Sequence, residues 1–285
     1  MMRAGAVIAA LTLALAGQAA AAPALTPPQR VVSLNPCLDA ILLDVADPGQ
    51  IAALSHYSAS PRESWVAGRA ARFPHIWGSA EEVVALRPDL VLTSGMGAMA
   101  LSGVLPRLKV RQASFTVPVS IEESLAQVDE VARLVGHPER GAALQARIRA
   151  ALAAAQPRPG EPRIGALIYE YHGLASGPGT LMDELMRNTG FDNLAPRYGL
   201  AHTGDVPLEA LLADPPQALL AGRLAPDEPA WADRVLGHPA LRALAQHVRV
   251  ETFPEQLMFC GGPILIPASQ AMAQARENAL AGVSR

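Results

Sequence analysis

Apolar residues in this chain come in short continuous blocks separated by polar turns rich in glycine and proline. Blocks of that length bounded by turn residues read as strands buried on both faces. RVVSL at 30–34 predicts the first strand, followed by a turn at Asn35 and Pro36 and an apolar helix over 38–45. A second strand is expected at 51–55, then a polar loop through His56, Tyr57 and Trp77. Glu81 opens EEVVALRPDLVL, which reads as a short helix, a proline stop and a strand at 90–93. Pro88 biases the residue before it away from helix, so the apolar run behind it becomes a strand. A glycine-rich turn and a strand at 110–115 complete this half.

From 121 to 156 the pattern is helical, interrupted only around Gly136, His137 and Pro138. The second part is about 28 Å long at 1.5 Å per residue, enough to bridge two lobes. It ends in the breaker-rich PRPGEPR, and a strand at 163–169 opens the second half. There Glu209 opens EALLADPPQALL, repeating the helix, proline and strand unit about 128 positions after its first copy. An amphipathic helix over about 264–280 closes the chain. Alternating strands and helices predict an α/β fold with a mostly parallel sheet. The repeat predicts two such lobes flanking a ligand cleft: an N-terminal lobe over 23–136, a linking helix over 137–158 and a C-terminal lobe over 159–285.

The first residues change the picture of where the chain works. A basic start at Met1–Arg3, an apolar run over 4–16 too short to span a bilayer, and small residues at 18–22 form a cleavable signal peptide over 1–22. No cysteine among the first 36 residues offers a lipid attachment site, and no later stretch would serve as a transmembrane span. A soluble, monomeric protein of the periplasm is expected. A net charge of -3 and 4% aromatic residues argue against a nucleic-acid partner, and 50% apolar residues argue against disorder.

RVVSLNP, AEEVVALRPDLVLTSG, the long mid-chain helix, SGPGTLMDELMRNTGFDNLA and VPLEALLADPPQALL stand in an order and spacing that resembles the periplasmic binding proteins of ABC importers for cobalamin, haem and iron-siderophore chelates. The resemblance covers essentially the whole mature chain. It implies two lobes with central sheets flanked by helices, a single stiff linking helix, a small closure, and a metal chelate in the cleft as cargo, with no resident cofactor. It also implies an ABC permease and its ATPase as partners, docked through one exposed glutamate per lobe, at positions matching Glu81 and Glu209. Stabilisation by the helix dipole, about 0.3–1 kcal/mol, is the plainer role for a first-turn carboxylate.

In a doubly wound sheet the ligand meets the loops beyond the carboxyl ends of the strands. Those loops hold Asn35 and Cys37; His56 and Tyr57; Trp77; Met96 and Met99; Glu170, Tyr171 and His172; Arg223; and Met258 and Cys260. The set is rich in imidazole and soft donors and poor in the arginine that acidic chelates call for, which leans toward a corrinoid or haem. Cys37, His56, His172 and Cys260 are the candidate metal contacts. For the two cysteines three states stay open: a disulfide across the cleft, contact with a ligand or metal, and two separate thiols. SGPGT at 176–180 reads as a tight turn into a helix in preference to an anion site. A receptor for bare zinc or manganese is the rival function, opposed by seven scattered histidines with no run. A cysteine-dependent enzyme ranks last, since no G-x-S-x-G, H-E-x-x-H or paired C-x-x-C motif is present.

Overall fold

The structure is a computed structural model and describes residues 26–95, 101, 103–170, 173–221 and 248–283. The expected signal peptide, Met96, Met99, Tyr171, His172 and Arg223 lie outside the described residues.

In the first half, strands β1 (Val31–Ser33), β2 (Ile51–Ser55), β3 (His75–Ile76), β4 (Leu90–Ser94) and β5 (Arg111–Phe115) form an all-parallel sheet in the order β3-β2-β1-β4-β5. The continuous apolar blocks arise because both faces are covered. Val31, Leu90 and Leu92 point into one core cluster, whereas Val32, Ala53 and Val91 point into another on the opposite face. The second half has β6 (Ile164–Tyr169), β7 (Leu174–Ala175), β8 (Phe191–Asn193), β9 (Gly204–Asp205), β10 (Ala218–Ala221) and β11 (Arg249–Thr252). Its order is β11-β10-β6-β7-β9, with β8 also paired to β6 and only the β7 pairings antiparallel. The repeat is thus visible as two matching parallel triples, β1-β4-β5 and β6-β10-β11.

The helices among the described residues are α1 (Pro36–Val45), α2 (Ala67–Ala70), α3 (Ala80–Ala85), α4 (Ile121–Leu134), α5 (Pro138–Ala154), α6 (Leu181–Asn188), α7 (Leu208–Ala213) and α8 (Leu265–Val283). The expected helical stretch over 121–156 is two helices, because Gly136 takes a left-handed φ of 87° and Pro138 sits in the first turn of α5. α5 packs on α1 and α4 from one half and on α8 from the other, as a linking element must. One apolar cluster accordingly takes in Ile41, Val128 and Ile148 together with Ile168, Leu185 and Met272, so the lobes share a base.

Two local differences from the sequence expectation have clear causes. α1 begins at Pro36 and not at 38, since the Asn35 side-chain oxygen accepts from the N–H groups of Cys37 and Leu38 at 2.9 and 3.2 Å and Pro36 fits the first turn. Arg87, ahead of Pro88, leaves the helix in a left-handed conformation with φ 47°, where an extended one was expected.

Candidate functional site

Every strand of the first sheet runs the same way, so the segments that follow them gather at one edge: Asn35 after β1, His56 and Tyr57 after β2, Trp77 after β3 and Val117–Val119 after β5. Across from them the second half contributes Glu170 after β6 and the segment 253–264 that leads from β11 into α8. Val117, Pro118, Val119, Met258 and Phe259 line a cavity of about 240 Å3 together with Leu174, Leu181 and Met182. Its polar lining is Glu170, Ser176, Thr180 and Thr203. Glu170 is buried and accepts a hydrogen bond from the Ser176 hydroxyl at 2.8 Å. Burial pushes its carboxyl upward, and the nearby charge of Glu255 adds to the rise.

Beside the cleft edge, three aromatic rings form a wall. The His56 imidazole stacks on Trp77 with ring centroids 3.6 Å apart and lies 3.8 Å from the Tyr57 ring. Two of these rings face solvent: Trp77 is 78% and Tyr57 46% exposed, and Phe259 in the cavity lining is 59% exposed. Aromatic surface left open at the edge where the loops after the strands gather suits a flat, apolar ligand.

The first turn of α1 ties this edge together. Cys37 forms a disulfide with Cys260, 223 residues away, and thereby fastens α1 to the segment carrying Met258 and Phe259. That segment is also seated by backbone contacts. The Gly262 N–H donates to the buried Ser124 hydroxyl of α4 at 2.6 Å, and Gln256 Nε2 donates to the Pro61 carbonyl at 2.9 Å. At Gly261 a Cβ would lie 2.3 Å from Ser124 Oγ, so the close approach requires glycine. Two residues beyond Cys37, the fully buried Asp39 faces the other way, toward the His56 turn. Its Oδ2 accepts from the Ser55 N–H at 3.0 Å and the Ser58 hydroxyl at 2.6 Å. Its Oδ1 has no hydrogen-bond partner, for the nearby Ser33 hydroxyl donates to the Asn35 carbonyl. Burial pushes this carboxyl up to about 7 against the opposing pull of the Ser58 and Ser55 hydrogen bonds.

A periplasmic binding protein family model matches residues 31–255. The chain belongs to that family. Its fold resembles the haem-binding RhuT of Roseiflexus sp. RS-1 in apo form, at 22% identity and TM-score 0.70 over 87% of this chain and 98% of that one. It also resembles the haem-binding HutB of Vibrio cholerae, at 19% identity and TM-score 0.71 over 86% and 98%. The vitamin B12-binding BtuF of Vibrio cholerae follows at 15% identity and TM-score 0.67 over 89% and 98%. No curated protein sequence matches the chain. Family and fold are those of binding proteins.

Within this periplasmic binding protein, the structure brings several expected residues to the cleft edge and reassigns others. His56, Tyr57 and Trp77 stand in one wall, and Met258 lines the cavity. Of the three states left open for Cys37 and Cys260 the structure has the disulfide; both sulfurs are consumed in it, which corrects their candidacy as thiolate metal contacts. The Asn35 side chain is engaged in capping α1. SGPGT is the tight turn expected, with the Thr180 hydroxyl capping α6 and Gly177 packed against the His202 carbonyl. Glu81 and Glu209 are exposed in the first turns of α3 and α7, and neither side chain makes a hydrogen bond or ion pair among the described residues. Among the described residues no three His, Cys, Asp or Glu side chains gather as a metal-holding group.

Sequence reasoning missed Asp39, Val117, Val119 and Phe259. TVPVS directly follows β5 and so falls in the class of loops already singled out; its signal was position, masked by ordinary apolar composition. Asp39 carried a different signal, an acid set inside an otherwise apolar first turn.

Proposed function

We propose that this protein is the solute-binding component of an ABC importer and captures a metal chelate with a broad apolar face, of the haem or corrinoid class, for delivery to a permease and its ATPase. The observation that carries this is the open aromatic wall of His56, Tyr57 and Trp77 at the same edge as the apolar lining of Val117, Val119, Met258 and Phe259. His56 and Tyr57 supply the imidazole and phenol that reach a metal at the centre of such a ligand. The likeness to RhuT, HutB and BtuF supports the same class. An acidic iron-siderophore fits less well, since the polar lining of the cavity among the described residues includes a carboxylate, Glu170, and no arginine. The lobes of this reading are 23–136 and 159–285, joined through 137–158, in a protein exported to the periplasm by a leader at 1–22. Glu81 and Glu209, one per lobe, are the contacts with the permease.

Thermal-shift screening of the purified protein against hemin, cyanocobalamin, a ferric siderophore and zinc tests it. A cognate chelate at about 100 times its Kd raises Tm by on the order of 5–10 °C. A shift with hemin or cyanocobalamin, accompanied by the chromophore's altered absorption spectrum, is the expected result. A shift with zinc alone, or with none of the four, overturns the reading.

A further inference from the structure

The wall of rings is not held by contacts among the rings alone. His56 and Tyr57 belong to a single 3-10 turn, His56–Ala59, whose third residue, Ser58, is buried in a polar knot beneath it. Ser55 precedes the turn and accepts from the Tyr57 N–H through its hydroxyl, at 3.3 Å. The Ser55 N–H and the Ser58 hydroxyl both end on one oxygen of Asp39, so the carboxyl grips the turn at its start and at its third residue. Asp39, Ser55 and Ser58 are 0%, 3% and 0% exposed, so water does not compete for these bonds. A turn this short has few internal hydrogen bonds, and its placement depends on what its ends are fastened to.

We propose that Asp39 is a positioning residue for ligand capture: from the first turn of α1 it fixes the 55–58 turn so that His56 stacks on Trp77 and Tyr57 faces the cleft. Asp39 touches no ligand and acts only through the turn. The disulfide at Cys37 holds the same helical turn to the opposite wall, so the two walls are registered to one another through residues 37–39 of α1. This inference rests on the proposed role of the His56 wall in binding a chelate, and its test has a part that needs no ligand.

That part is the His56 imidazole NMR signal of the ligand-free, full-length mature protein, which the stacked Trp77 ring shifts away from the position of a free histidine. Asp39→Ala is expected to return the signal toward the free position. Asp39→Asn keeps an acceptor oxygen for Ser55 and Ser58 and is expected to retain the shift. Ser58→Ala removes one bond without opening a large cavity and is expected to move the signal part of the way, so a poorly folding Asp39→Ala leaves the test intact. With hemin as the probe, loss of the buried grip weakens binding by about tenfold or more in Asp39→Ala, while Asp39→Asn stays within about threefold. An unmoved His56 signal in both Asp39→Ala and Ser58→Ala overturns the proposal. So does a moved signal with unchanged hemin affinity. If the wild type binds neither hemin nor cyanocobalamin, the functional reading fails, and the NMR comparison still decides whether Asp39 positions the turn.

Discussion

Two aspartates in α1 show how much a single residue's surroundings decide. Asp44, near the surface, pairs with Arg69 at 3.0 Å and Arg147 at 3.3 Å. Asp39 is wholly buried with serine partners only. Its carboxyl is raised from 3.8 to about 7, so the native protein retains a proton that the unfolded chain gives up above about pH 4. Folding therefore takes up a proton in this window, and the group's contribution to stability falls as pH climbs from about 4 to 7, by up to about 4 kcal/mol. Asp39→Asn, which cannot ionise, should flatten the loss of Tm across that range and raise Tm above pH 7; an unchanged pH profile in the variant would sink this account. The aspartates were both readable in sequence as polar positions on an apolar helix, but only the packing of the 55–58 turn against α1 separates them. Trp77 was ambiguous for the same kind of reason, because a tryptophan is equally at home in a core and on a ligand wall.

At the scale of elements, the two copies of the helix, proline and strand unit share a plan and differ in how they are fastened. α3 has a full capping box: the Ser79 hydroxyl accepts from the Glu82 N–H, and the Glu82 carboxylate accepts from the N–H groups of Trp77, Gly78 and Ser79. α7 starts at Leu208 behind Pro207, with no side-chain cap. The cap of α3 thereby also orients the backbone of Trp77, so one copy of the unit serves the cleft as well as the fold. Glu82 is spent locally and its acidity is strengthened by those backbone N–H groups. Its neighbour Glu81, like Glu209, is left outward and uncommitted. Glu81→Lys with Glu209→Lys should abolish uptake in a transport assay while hemin affinity of the purified protein stays normal; a loss of affinity would remove these glutamates from the docking face. The unit was legible because a proline between a short helix and an apolar block punctuates the chain in both halves. The capping asymmetry was hidden, since S-x-x-E in one copy gains its meaning only once the helix start is fixed.

For the whole molecule, the disulfide decides how the two halves are held. A linking helix alone permits the cleft edge to open, but the Cys37–Cys260 bond fastens α1 to the segment 253–264, which Ser124 and Pro61 hold as well. Motion of the lobes is thereby confined to what a shared base and a covalent tie allow. Replacing both cysteines by serine should lower Tm by about 5–15 °C, corresponding to a loss of about 2–5 kcal/mol. Equal melting of wild type and the double variant would show that packing of the segment suffices without the bond. The architecture of two parallel triples was legible from strand order and repeat. The pairing of the two cysteines was not, because positions 37 and 260 lie in different halves and are brought together only by the tertiary fold. The bond joins points separated by 223 positions, so the loop it closes takes in every strand from β2 to β11. A ribosome releases the N-terminal end first, so Cys37 waits for its partner until the segment 253–264 has been synthesised. Covalent closure of the cleft edge therefore comes late: a chain truncated before residue 260 has no partner to offer Cys37.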